Sequence, residues 1–191
     1  MLKTIKQNLR TDMLAKRKKF PFPYAREASL HLKKCLINNI VIMPKTVIAG
    51  YVPIQGEIDI GESLNCFSRL GAILVLPAIC KNKLEIYFRN WSMKDKLEKG
   101  EFNTYQPSQK NKIINPDLIL VPLLAFDKKG YRLGYGKGFY DRGIRALRKE
   151  KDILAFGVAY DWQEVSKVPR DEFDVCLDGI FTPSRFLDVK R

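Results

Sequence analysis

The sequence predicts an α/β fold, a mostly parallel sheet with helices on both faces. Short apolar, β-branched runs such as Thr46-Val-Ile-Ala-Gly-Tyr-Val52 and Ala72-Ile-Leu-Val-Leu-Pro77 have the profile of strands buried on both faces. Segments with apolar residues at helical spacing alternate with them. The chain has 191 residues and 46% hydrophobic content, enough for one cored domain and too short for two of ordinary size. Residues 1–191 therefore read as a single domain.

Leu2, Ile5, Leu9 and Met13 recur at helical spacing and predict an amphipathic helix from residue 3 to about 19 with a basic outer face. Lys6 and Arg10, four apart, point the same way on it; by periodicity alone they belong to a solvated charged face. Phe20-Pro-Phe-Pro23 stops this helix, because proline cannot continue it and disfavours helical geometry in the residue before. A second helix follows from about Tyr24 to Asn38, with Ala28, Leu32 and Cys35 or Leu36 inward and His31 on its polar side.

The strand over 46–52 leads into Pro53-Ile-Gln-Gly-Glu57, which puts Glu57 just past a strand's C-terminal end, where open α/β sheets place ligand sites. Glu57 also reads as a first-turn acid of the helix expected over roughly 59–70 and closed by Gly71. After the strand over 72–77 come a lysine-rich turn, Lys81-Asn-Lys83, and Leu84-Glu-Ile-Tyr-Phe88, whose alternation predicts a strand nearer an edge. From Trp91 to Pro116 periodicity fades into a long excursion, in which Trp91, Phe102 and Tyr105 either cover a flat ligand or pin the loop to the body. Asp117-Leu-Ile-Leu-Val121 is the third buried strand, a helix runs from about Gly138 to Glu150, and Ile153 to Tyr160 forms the fourth central strand. Phe173-Asp-Val-Cys-Leu-Asp178 is expected as a short final strand carrying Asp174.

The net charge of +13 favours polyanionic ligands, but the lysines are spread along the whole chain, as a solvated basic surface would have them. Cys35, Cys66, Cys80 and Cys176 lie far apart and His31 is the lone histidine, which argues against a zinc site and a disulfide framework. They read as buried thiols in a reducing compartment. The N-terminus lacks the apolar core of a secretory signal and no apolar run reaches membrane length, so a cytoplasmic location without a membrane partner is expected.

The richest stretch is Pro122-Leu-Leu-Ala-Phe-Asp-Lys-Lys-Gly-Tyr-Arg-Leu-Gly-Tyr-Gly-Lys-Gly-Phe-Tyr-Asp-Arg142, between the third strand and the helix near 138–150. Spacing excludes two common nucleotide motifs. A Walker loop needs glycine where Tyr131 stands, and a dinucleotide fingerprint needs it where Phe139 stands. The chemistry still suits a phosphate cradle. Gly134, Gly136 and Gly138 are expected to take positive φ and let backbone N–H groups turn inward. Arg132 and Lys137 supply positive charge. Asp141 is a hard oxygen ligand for a phosphate-bound Mg²⁺, and Tyr135, Phe139 and Tyr140 offer stacking faces.

This stretch resembles the signature of the 5-formyltetrahydrofolate cyclo-ligase family. The resemblance extends over nearly the whole chain, through Lys6-x-x-x-Arg10 on the first helix, Tyr51-x-Pro53-x-x-x-Glu57 and a late acidic pair. It implies a three-layer α/β/α sandwich and an ATP- and Mg²⁺-dependent enzyme that cyclises 5-formyltetrahydrofolate to 5,10-methenyltetrahydrofolate through a phosphorylated formyl group. It further implies that Lys6, Arg10 and the run Arg132, Leu133, Gly134, Tyr135, Gly136, Lys137, Gly138, Phe139, Tyr140 bind ATP. Arg132, Lys137 and Tyr140 act at the reacting centre, Asp141 and Asp174 hold the metal, and Val52, Glu57, Phe102 and Tyr140 bind the folate. In two places the chain departs from the family pattern. Phe173 stands where histidine often precedes the second aspartate, and Phe102 where some relatives have tryptophan, which loses an indole N–H donor.

The implied partner is a small molecule, 5-formyltetrahydrofolate, in free or polyglutamylated form, with the protein a monomer or weak dimer. A basic RNA-binding protein without catalysis is the alternative that the charge supports. Glu57, Asp141 and Asp174 weigh against it, because carboxylates repel phosphates unless a metal intervenes.

Overall fold

The computed structural model describes residues 1–80 and 84–189, so the expected turn Lys81-Asn-Lys83 lies outside the described residues. In chain order the elements are α1 (Leu2–Lys19), α2 (Phe22–Asn39), β1 (Val47–Ala49), α3 (Gly61–Arg69), β2 (Ile73–Cys80), β3 (Glu85–Asn90), β4 (Glu98–Lys99), β5 (Tyr105–Gln106), β6 (Leu118–Pro122), β7 (Ala125–Phe126), β8 (Arg132–Leu133), α4 (Phe139–Glu150), β9 (Leu154–Val158), β10 (Gly179–Phe181) and β11 (Phe186–Asp188). One seven-stranded sheet runs in the order β11-β10-β9-β6-β1-β2-β3. Its five inner strands are parallel, and β3 and β11 are antiparallel edges.

Alternation along the strands sorts side chains into two layers. Ile48, Leu74, Leu118, Leu120 and Phe156 pack with Leu32 and Leu36 of α2 and Leu64 and Phe67 of α3. Val47, Ala49, Val75, Ile119, Val121 and Ala155 pack with Ile144 and Leu147 of α4. The result is an α/β/α sandwich with a mostly parallel sheet, as expected. Leu32, Leu36 and Phe67 are fully buried; each such side chain contributes about 1.5–3 kcal/mol.

Topology also locates the site. From β1 the chain crosses through α3 to β2 on one side, whereas from β6 it crosses through α4 to β9 on the other. Neighbouring β1 and β6 therefore form a switch point, and the loops leaving their C-terminal ends splay apart into a crevice.

Four expectations need correction. The inward stripe of α1 is not Leu2-Ile5-Leu9-Met13. Leu2 and Ile5 are exposed, and the buried residues are Met13 and Arg17. Part of the basic face therefore points in, because Lys6 finds acids there, Arg10 a carbonyl, and Arg17 a carbonyl and a hydroxyl. The strand expected over 173–178 is absent, since side chains take the backbone groups a ladder would use. Asp171 N–H donates to Asp174, Phe173 N–H to Asp171 and Val175 N–H to Asp141, and the last strands are β10 and β11.

β2 runs on past Pro77 to Cys80. The Val75 carbonyl accepts from Gly50 N–H, and Pro77, two residues on, turns its nitrogen to the same side, beyond the end of β1, where no ladder needs a donor. Finally, the excursion over 91–116 is not structureless, for it contains the β4–β5 hairpin and a 3₁₀ turn over Glu101–Asn103.

Candidate active site

The crevice at the switch point opens into a cavity of about 630 Å³. Val52, Glu57 and neighbouring residues reach it from the exit of β1, Phe102 from the 3₁₀ turn, Lys6 and Arg10 from α1, the run Arg132 to Asp141 from β8 and the start of α4, and Asp174 from the turn before β10. Every residue that the sequence assigns to ATP, folate, metal or catalysis thus lines one cavity. Of the aromatics in the excursion, Phe102 and Tyr105 line it, whereas Trp91 packs on the core.

The glycine stretch first forms a hairpin, β7–β8, whose Leu124, Ala125 and Leu133 pack on Met13 of α1. Only then does it become a loop. Gly136 and Gly138 have φ of +89° and +67°. A Cβ on Gly136 would lie 2.9 Å from Cζ of Arg10, whose Nε donates to the Gly134 carbonyl, so the guanidinium lies against the loop. Gly134 differs from the expectation, for its φ is not positive and a Cβ there would meet nothing within 4 Å. A side chain at that position would enter open space, and Gly134 itself lines the cavity.

Two of the cations that line the cavity, Arg132 and Lys6, are paired with its acids. Arg132, buried, donates from Nη2 to Asp141 Oδ1 at 2.8 Å and from Nη1 to the Val175 carbonyl at 2.9 Å. Burial lowers the pKa of its guanidinium, with Asp141 and Asp174 opposing. Lys6 Nζ lies 2.6 Å from Asp174 Oδ2 and 2.8 Å from Asp171 Oδ2. Lys137 is different. Among the described residues its ammonium makes no hydrogen bond or ion pair, and it sits over the Phe102 ring, 5.4 Å from the centroid. Phe102 itself has a φ of +57° inside the 3₁₀ turn and packs 5.7 Å from Phe139.

Asp141 and Asp174 each engage one carboxylate oxygen, leaving the other without a hydrogen bond among the described residues. No group of three or more His, Cys, Asp or Glu is placed to hold a metal among those residues. Two carboxylates that line the same cavity as the glycine loop suit Mg²⁺, which takes one or two acids and completes its shell with phosphate and water.

Glu57 is held by a turn in which Gln55 and Gly56 have φ of +48° and +75°, the pattern of a type I′ turn. Its Oε2 accepts from Ile54 N–H at 3.0 Å and its Oε1 from the Tyr135 hydroxyl at 3.0 Å. Burial raises its pKa, against the opposing pull of those hydrogen bonds and of Arg17. Burial also raises the hydroxyls of Tyr135 and Tyr140, with the Glu57 charge adding to it. Arg17 escaped the sequence reading. Its Nη1 donates to the Tyr135 hydroxyl at 3.0 Å and lies 4.0 Å from Glu57 Oε1. The signal existed, because Lys6, Arg10, Met13 and Arg17 are spaced four, three and four apart and form one helix stripe.

A model of the 5-formyltetrahydrofolate cyclo-ligase family matches residues 2–183. The chain belongs to that family. Among cyclo-ligases it is 30% identical over 193 residues to that of Mycolicibacterium smegmatis, covering 97% of each chain. To that of Escherichia coli K12 it is 31% identical over 150 residues, 76% of this chain and 81% of the other. The 5,10-methenyltetrahydrofolate synthetase structure from Aquifex aeolicus superposes with a TM-score of 0.80 at 32% identity, covering 98% of this chain and 94% of that one. Its Mycoplasma pneumoniae counterpart gives 0.75 at 26%, covering 93% and 98%. Phe173 also lines the cavity and is exposed.

Proposed function

We propose that this cyclo-ligase family member converts 5-formyltetrahydrofolate to 5,10-methenyltetrahydrofolate with ATP and Mg²⁺, releasing ADP and phosphate. The observation that carries the reading is convergence. A phosphate-suited glycine loop, two metal-suited acids and a buried carboxylate line one cavity in a chain of this family.

Lys6, Arg10 and the loop from Arg132 to Tyr140 bind the nucleotide, with Asp141 and Asp174 holding the metal, whose charge offsets that of the phosphates. Glu57 accepts hydrogen bonds from the pterin N–H groups, and Val52, Phe102 and Tyr140 shape the pocket around the folate. The formyl oxygen attacks the γ-phosphorus as the bond to ADP breaks, giving a phosphorylated imidate. N10 then bonds to the formyl carbon, loses its proton, and the C–O bond breaks to release phosphate. In such a transfer positioning and charge neutralisation supply most of the catalysis. Lys137 suits the γ-phosphate charge better than Arg132. Its ammonium is free of ion pairs among the described residues, whereas the Arg132 guanidinium is committed to Asp141 and Val175 and organises the loop. Tyr140, whose hydroxyl stays protonated, completes the reacting centre.

On this reading residues 1–191 act as one domain, as a monomer or weak dimer in the cytoplasm, on free or polyglutamylated folate and without nucleic acid. No described helix is long and apolar enough to cross a membrane. Purified protein with 5-formyltetrahydrofolate, ATP and Mg²⁺ will develop the near-ultraviolet absorbance of the methenyl product. The absence of an ATP-dependent change overturns the proposal.

A further inference from the structure

Arg17 lies behind the cavity wall, buried, and does not line the cavity. It nonetheless touches three segments that meet there. Its Nη2 donates to the Leu123 carbonyl just past β6, its Nη1 donates to the Tyr135 hydroxyl in the glycine loop, and its stem lies under Gly56, where a Cβ would come within 3.2 Å of Cγ. Tyr135 in turn donates to Glu57 Oε1, which makes a directed chain from guanidinium through hydroxyl to carboxylate. We infer that Arg17 is a positioning residue: through Tyr135 it aims the Glu57 carboxylate into the cavity and supplies the countercharge that lets a buried acid accept hydrogen bonds from the substrate.

The charge environment supports this. The titratable groups that act on Glu57 are Arg17 on α1 and Tyr135 in the glycine loop, and its charge is felt in turn by Tyr140 on α4, Tyr51 after β1 and Tyr160 after β9. Arg17 is the cation among them, and the rest are neutral phenols. Burial pushes the Glu57 carboxyl up, and Arg17 opposes it together with the hydrogen bonds from Ile54 and Tyr135. Without the guanidinium the carboxyl would take up a proton more readily, and a protonated carboxyl has lost the negative charge that attracts N–H donors. A lysine keeps the charge but not the fork that reaches Tyr135 and Leu123 together.

The consequence for turnover rests on Glu57 being the folate acid, while the Arg17–Glu57 linkage rests on the geometry alone. The two therefore take separate readouts. The linkage is read by ¹³C NMR of the whole protein labelled at glutamate carboxyl carbons, the Glu57 signal being assigned by its loss in Glu57→Gln. In Arg17→Met the signal will titrate at least about one pH unit higher than in the wild type, and Arg17→Lys will recover most of that difference. Tyr135→Phe, which keeps Arg17 and removes the relay hydroxyl, will shift it the same way by less. It keeps the inference testable if Arg17→Met does not fold. An unmoved titration in Tyr135→Phe, or in Arg17→Met, overturns the linkage.

The second readout is the KM for 5-formyltetrahydrofolate between pH 6 and 9. In Arg17→Met it will rise towards acid pH with kcat at saturation within about threefold of wild type, and adding Arg17→Met to Glu57→Gln will produce no further pH dependence. A purely structural Arg17 would lower thermal stability without changing this profile. A Glu57→Gln protein with an unchanged folate KM overturns the folate role and leaves the NMR result standing.

Discussion

Lys6 of α1 and Asp174 near the C-terminus form an ion pair at 2.6 Å, and Asp171 Oδ2 sits 2.8 Å from the same ammonium. Under the proposed function both partners have work elsewhere, Lys6 on the ATP phosphates and Asp174 on the metal. The pair keeps two like-charged groups, the acids, from facing each other without compensation. Lys6→Ala will raise the KM for ATP about tenfold or more, as expected for losing a charge-assisted hydrogen bond. Because the pair is near the surface, unfolding free energy will change by no more than about 1 kcal/mol. Steady-state kinetics with denaturant melts decide it, and an unchanged KM for ATP removes Lys6 from the nucleotide site.

Lys137→Ala and Arg132→Ala will behave differently. The first removes a cation without ion pairs among the described residues, so kcat will fall by about 10²–10³ with little change in melting temperature. The second breaks a partly buried pair and strands Asp141, so it will cost about 1–3 kcal/mol of stability as well. Equal losses of stability in the two variants would contradict the division of labour proposed for them.

Gly134→Ala and Gly136→Ala separate ligand space from backbone need. A methyl at 134 enters open cavity without backbone strain, so folding will be unaffected and ATP affinity will drop. At 136 the positive φ and the Arg10 guanidinium both oppose a side chain, so stability will fall by about 1–2 kcal/mol. Thermal melts with and without ATP–Mg²⁺ distinguish the two outcomes.

Mg²⁺ alone will not raise the melting temperature, whereas Mg²⁺ with ATP will. Only Asp141 and Asp174 are offered as metal ligands, and no group of three acids, histidines or cysteines is assembled among the described residues. Mg²⁺ binding therefore depends on phosphate oxygens. A shift with Mg²⁺ alone, in differential scanning fluorimetry, refutes this.

Asp117, just before β6, accepts from Val47 N–H and pairs with Lys151 at 2.5 Å. Burial raises its pKa, but those contacts win and leave it below its ordinary 3.8. A depressed carboxyl stabilises the fold above its unfolded value, and that contribution is lost as pH falls through the folded value. Asp171 is depressed likewise, chiefly by its hydrogen bond to Lys6. Urea unfolding from pH 6 down to 3 will show stability falling below about pH 4, with a shallower slope in Asp117→Asn. Parallel slopes would dismiss the Asp117 contribution.

Much of the fold was legible because local chemistry sets it. The two-sided burial of β1, β2, β6 and β9 wrote apolar runs, and Pro21 and Pro23 marked the break between α1 and α2 within two residues. The β7–β8 hairpin was not legible, because its two-residue strands are too short for a period to show. Nor was the loss of the strand over 173–178, where carboxylates of Asp141, Asp171 and Asp174 capture N–H groups that a strand would offer to a neighbour.

The candidate site divides the same way. The sequence by itself pointed to the residues proposed to carry the chemistry, since glycine spacing, the Lys6-x-x-x-Arg10 pair and the placement of Glu57 after a strand are properties of residue type and order. The tertiary structure decided who is paired with whom: Arg132 with Asp141, Lys6 with Asp174, Lys137 left over the Phe102 ring, and Arg17 turned inward to Glu57. These partners are 9 and 168 positions apart in the first two cases, and sequence order does not encode such approaches. Whether a cation is a solvated surface charge or a committed countercharge depends on burial, which only the packed layers around the β1–β6 switch point create.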